Sequence, residues 1–152
     1  MSLREQLQNG IKEAMKAKLA DRLSTLRLIN AAIKDREIAG RSEAGEVDVT
    51  DADILALLGK MVKQRQESAR AYEEGGRLEL AEKELAEIKV IEEYLPRQLS
   101  AAEVDAAIAA AIAEVGATSI RDMGRVMGEL KGKYTGQMDF GAVGAALKGK
   151  LG

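Results

Sequence analysis

Histidine and cysteine are both absent from the 152-residue chain. With them go the usual general base at neutral pH, disulfides, thiolate metal sites and every Ser-His or Cys-His nucleophile pair. Tryptophan is missing too, and proline and phenylalanine occur once each. What remains is rich in Ala, Leu, Glu, Lys, Arg and Gln, a helix-forming set. No apolar run approaches the length that spans a bilayer, and the opening MSLREQLQNGIKEAMKAK is charged from its fourth residue. Neither a membrane association nor a secretory leader is expected. A soluble cytoplasmic protein follows, with no cofactor and no metal site.

A large excess of one charge is also lacking, since the net charge is −2. The distribution says more than the sum. Met1 to Ile38 carries eight Lys or Arg against five Asp or Glu, Ala71 to Pro96 three against eight, and Ala117 to Gly152 six against three. This pattern does not announce nucleic-acid binding by charge alone, because dedicated binders carry a larger basic excess, but it permits a small basic footprint.

Apolar residues recur at steps of three and four along most of the chain, the signature of amphipathic helices. A first helix runs from Ser2 to about Leu19 with Leu3, Leu7, Ile11, Ala14 and Met15 on one face, weakened in its middle by Gly10. Asp21 reads as the cap of a second helix, ending at Ala39 with Gly40 as its stop. Arg27, Asn30 and Lys34 share one strip of it, either a solvated face or a binding one. Arg41 to Val49 lacks periodicity and reads as a loop. Thr50, followed by Asp51 and Asp53, starts a third helix that ends at Gly75-Gly76. A fourth runs from Leu78 to Tyr94, with Leu78, Ala81, Leu85, Ile88, Ile91 and Leu95 repeating apolar character. Its Glu79, Glu82, Lys83 and Glu87 read as surface chemistry rather than a metal site.

Pro96 disfavours helix at the residue before it, so the chain turns there. Ser100 to Glu103 forms a capping box for an alanine-rich helix that reaches Val115 and stops at Gly116. Another helix begins near Thr118 or Ser119 and runs to Lys131, and Asp139 caps the last, Phe140 to Lys150, with Met138 and Val143 spaced for a hydrophobic staple. The expected fold is all-α: a four-helix N-terminal subdomain, residues 1–96, and a small three-helix C-terminal subdomain, residues 97–152.

Within the last part, Gly124, Gly128, Gly132 and Gly136 recur every fourth residue beside two basic triplets, Lys131-Gly132-Lys133 and Lys148-Gly149-Lys150. Glycine in a helix costs roughly 1 kcal/mol relative to alanine, so each needs a reason. Gly124 and Gly128 read first as a seat for a neighbouring helix, since small residues four apart let backbones approach. A sugar-phosphate backbone is the alternative. Gly132 and Gly136, beside Lys131, Lys133 and Tyr134 in an expected turn, read first as the approach for such a backbone.

Four separated motifs carry a resemblance. Arg22 to Lys34 (RLSTLRLINAAIK), Lys60 to Ser68 (KMVKQRQES), Glu92 to Leu99 (EEYLPRQL) and Asp122 to Gly128 (DMGRVMG) together resemble a free-standing member of the GatB/YqeY family, over essentially the whole chain. The likeness extends to the C-terminal tail of the B subunit of the glutamine-dependent tRNA amidotransferase, a module also appended to glutaminyl-tRNA synthetase. It implies an all-helical module that helps bind the outer body of tRNA and lacks a catalytic centre of its own. On this reading Arg121, Arg125, Lys131, Lys133, Tyr134, Lys148 and Lys150 contact RNA, with Arg27 and Lys34 as a second patch. Tyr134 either stacks on a base or caps the core. Arg65 and Arg97 are either RNA contacts or paired to the acidic fourth helix. The implied partners are tRNA and an aminoacyl-tRNA synthetase or amidotransferase subunit. Two rivals stand beside RNA binding: a protein-interaction adaptor for such an enzyme, and, by family label, a carbon-nitrogen ligase with glutamine as amido-N donor. The missing His and Cys speak against the second.

Overall fold

A computed structural model describes residues 2–44 and 49–152, backbone only for 41–44. All regular structure among them is helical: α1 (Leu3–Lys16), α2 (Ala20–Ala44), α3 (Asp51–Glu74), α4 (Leu78–Glu92), α5 (Ala101–Val115), α6 (Met123–Tyr134) and α7 (Phe140–Leu151), with a 3₁₀ turn, Ile120–Asp122, leading into α6. The all-α expectation therefore holds. Internal contacts divide the chain into two compact units, Met1–Leu95 and Pro96–Gly152.

The core of the first unit gathers Leu3, Leu7 and Ala14 of α1, Leu26, Ile29 and Ile33 of α2, Ile54, Leu58 and Met61 of α3, and Ile91 of α4. These are the positions that the three-and-four spacing brings to one side of each helix. The spacing misleads at Met15, Leu78 and Leu85, which are 53%, 61% and 42% exposed. Periodicity marks the side of a helix, not how far a neighbour reaches along it.

Helix boundaries depart from the expected ones where the chain uses a different cap. Ser2 caps α1, its hydroxyl accepting from the Glu5 amide at 3.2 Å. The far end closes in a left-handed turn at Lys18, φ 56°, where the Lys18 amide donates to Met15 O and the Leu19 amide to Ala14 O. That is the paired arrangement in which glycine is usually found. Replacing Lys18 with glycine removes the Cβ strain of this conformation. We expect a gain of about 0.5–1 kcal/mol, read as a higher urea midpoint at unchanged slope.

Asp21 does not cap α2, which begins one residue earlier at Ala20; its carboxylate instead sits in the first turn, against the positive end of the dipole. Nor does Gly40 stop this helix. It is buried within α2, which continues to Ala44, so the expected loop begins later than Arg41 and its residues 45–48 lie outside the described ones. Thr50 and Asp53 form a reciprocal capping box at the start of α3, at 3.2 and 3.0 Å.

The second unit packs Ala107, Ile108 and Ala111 of α5 against Val126 and Leu130 of α6 and Val143 and Leu147 of α7. Ser100 and Glu103 complete the expected capping box, and Gly116 ends α5 in the left-handed region, φ 65°. Ser119 caps the 3₁₀ turn. Helix α6 runs past Lys131 to Tyr134, so Gly132 is helical and not in a turn. The turn comes at Gly136, φ 77°. There the Gln98 side chain donates to Gly136 O at 2.6 Å, the Leu99 amide to Gln137 O at 3.0 Å, and the Gln137 side chain to Arg97 O at 3.0 Å.

Candidate nucleic-acid interface

A step of four residues advances an α-helix by about 40°. Gly124, Gly128 and Gly132 therefore form one strip on α6, opposite the buried Val126 and Leu130, and all three are exposed. An added Cβ at any of them would meet no atom within 4 Å. This corrects the packing reading of Gly124 and Gly128: no helix among the described residues uses the space.

Arg125 and Lys131 lie on the two sides of this strip, each about 60° from Gly128 around the helix axis. Lys131 is exposed and in no ion pair among the described residues. Arg125 donates to Asp122 Oδ1 at 3.0 Å and to Val115 O at 3.2 Å, yet 62% of its side chain stays exposed. Those bonds fix the guanidinium without burying it. The Thr118 amide, and then that of Ser119, hold the Asp122 carboxyl below the usual carboxylate range, which keeps the pairing charge in place.

Lys133 sits elsewhere. It donates to Glu114 Oε2 and Glu129 Oε1, both at 2.8 Å, and these bonds, Glu114's first, raise its ammonium above the ordinary lysine range. Its charge is matched by two carboxylates of the same unit. Tyr134 is half-buried and packs against the core formed by α5, α6 and α7. Lys148 and Lys150 are exposed near the end of α7, but residues two apart diverge by about 160° around a helix, so they do not share a face. Arg121 is exposed in the 3₁₀ turn.

In the first unit Arg27 and Lys34 are exposed on α2, while Asn30 accepts from the Gln8 side chain at 3.2 Å and ties α2 to α1. Arg65 pairs with Glu87 of α4 at 3.2 Å. Arg97 instead grips Glu103 of α5 with two bonds of 2.9 Å, and this pair, helped by the Ser100 amide, lowers the Glu103 carboxyl to about 2. Glu129 four residues before Lys133 was a readable signal for its pairing. Glu114, on another helix, left none. Among the described residues no three Asp or Glu side chains converge on a metal position, and no helix is long and apolar enough to cross a membrane.

The family model described as Yqey-like protein matches residues 4–151. The chain belongs to the YqeY-like family. Relatives include the proteins named altered inheritance of mitochondria protein 41, mitochondrial, of Pyrenophora tritici-repentis, 32% identical over 84% of this chain and 70% of its own length, and of Clavispora lusitaniae, 37% identical over 62% of this chain. An uncharacterized protein of Schizosaccharomyces pombe is 28% identical over 65% of this chain. The YqeY-like chain spans 52% of the Clavispora relative, 76% of the Schizosaccharomyces one and 57% of that from Lachancea thermotolerans. These relatives also correct the cytoplasmic expectation: those with a descriptive name are mitochondrial proteins, and a charged, leaderless-looking opening carries no information about such a destination.

Proposed function

We propose that this YqeY-like chain is an RNA-binding module without a catalytic centre of its own, with tRNA as its ligand, which assists a tRNA-dependent amidotransferase or synthetase. The observation that carries the reading is the open glycine strip of α6 between Arg125 and Lys131. Three helix-weakening residues stand where nothing packs on them. A sugar-phosphate backbone can lie close to such a surface, with a cation on either side to neutralise phosphates and release counterions. The choice of tRNA over other RNA, and of a four-helix subdomain beside a three-helix one that meets the RNA, rests on the resemblance of the four sequence motifs to the tail of the amidotransferase B subunit. Arg121 and Lys148 extend the footprint. Lys133 serves the fold instead, and Arg27 and Lys34 form a separate, smaller patch. The named relatives support a mitochondrial setting. The carbon-nitrogen ligase alternative finds no support in a chain without His or Cys.

Filter binding of tRNA across a salt series tests this. The chain binds at low salt, and Arg125→Gln with Lys131→Gln lowers the slope of log affinity against log salt by about 2. Absence of binding at low salt, or an unchanged slope, overturns the proposal.

A further inference from the structure

We infer that the flank of α4 carrying Leu78 and Leu85 receives a basic amphipathic helix of a partner protein, which completes a three-helix bundle with α3 and α4. Helices α3 and α4 are joined by the short turn at Gly75–Arg77, and α3 packs more extensively on α4 than on any other helix. Around the axis of α4, the buried Ile91, Ile88 and Ala81 and the exposed Leu85 and Leu78 fall within roughly 140°, an arc that Glu84 and Glu92 also enter and that is wider than the roughly 100° that facing one core requires. Ala81 is 2% exposed, while Leu85 and Leu78 stand at 42% and 61%. The two leucines are seven residues apart, about 10.5 Å along the axis. That is the spacing at which a second helix engages two successive turns.

Charge decides what kind of helix. Three basic residues face eight acidic ones between Ala71 and Pro96. Of the acids, Glu87 is taken by Arg65 and Glu93 by Arg22. Glu79, Glu82 and Glu92 remain exposed on α4 and in no ion pair among the described residues, with Lys89 and, beside Leu78, Arg77 as the neighbouring cations. Such a rim repels nucleic acid and anionic lipid and attracts lysine or arginine. The partner helix therefore carries an apolar strip edged with positive charge. This surface belongs to the first unit and does not depend on the RNA reading of the second.

The test uses the full chain and three labelled 18-residue peptides, followed by fluorescence anisotropy. One has Leu at helical spacing with Lys elsewhere, one has the same composition with Leu in alternation, and one has helical Leu with Glu. The helical Leu/Lys peptide binds, and the other two bind at least about tenfold more weakly. Leu78→Ser with Leu85→Ser lowers its affinity at least about tenfold, because two leucine burials are lost. The same double variant still melts cooperatively, at a modestly lower temperature because both side chains are only partly covered and serine is a weaker helix former, and it titrates tRNA as the parent does. Equal binding of all three peptides, or full binding by the double variant, overturns the inference. So does light scattering that shows a dimer which the double variant turns into a monomer, because a second copy then covers the flank.

Discussion

Changing Gly124, Gly128 and Gly132 together to alanine is expected to stabilise the chain by about 1–2 kcal/mol, since glycine costs a helix interior about 0.8–1 kcal/mol and less in the first and last turns, where Gly124 and Gly132 lie. Two conditions make this sum sensible. All three residues lie inside α6, and a Cβ on any of them meets open space, so no clash offsets the gain in backbone entropy. Urea unfolding reads the effect as a higher midpoint with an unchanged slope. A fall in stability would mean that α6 packs on something at this strip. The same triple variant separates fold from function. Three methyl groups now cover the surface against which a phosphate backbone rests, so tRNA affinity falls while stability rises, the trade expected when a helix keeps weak formers for binding. A variant that is stabilised and binds tRNA unchanged would leave the strip without a role in recognition.

The opposite outcome is expected at Gly10, where alanine costs about 1–3 kcal/mol despite its better helix propensity. Gly10 is buried in α1. Its added Cβ collides with the Tyr94 hydroxyl and comes within 3.5 Å of Leu26 Cδ1. Tyr94 has little room to yield, for it packs on the core of the first unit and lies beside Arg22, which Glu93 holds through two hydrogen bonds. Removing the offending oxygen supplies the control. With Tyr94→Phe the nearest remaining atom is the ring carbon at 3.4 Å, so Gly10→Ala in that background recovers most of the loss. A double-mutant cycle on urea midpoints measures the coupling; additive effects would show that the hydroxyl is not the obstacle.

These two positions mark what could be read from residues alone. Helices and their cores were legible because burial follows a three-and-four rhythm, and Thr50, Ser100 and Asp139 announce starts through short side chains that reach orphan amides. Gly10 was visible as a weak point, but its cause is a tyrosine 84 positions later, and no local pattern carries that distance. The end of α2 lies beyond the expected one because glycine stops a helix only when it leaves helical dihedrals, which Gly40 does not. At the candidate site, the positions of Arg125 and Lys131 beside the glycines follow from helical phase. The capture of Lys133 by Glu114 needed α5 and α6 to be brought together first.

The bonds that Gln98 and Leu99 make around Gly136 and Gln137 set a practical limit on dissection. Judged by its helices, the second unit starts at Ser100, yet a fragment cut there would lose all three of these ties and leave the Gly136 and Gln137 carbonyls without them. An excised version of this unit should keep Pro96 as its first residue.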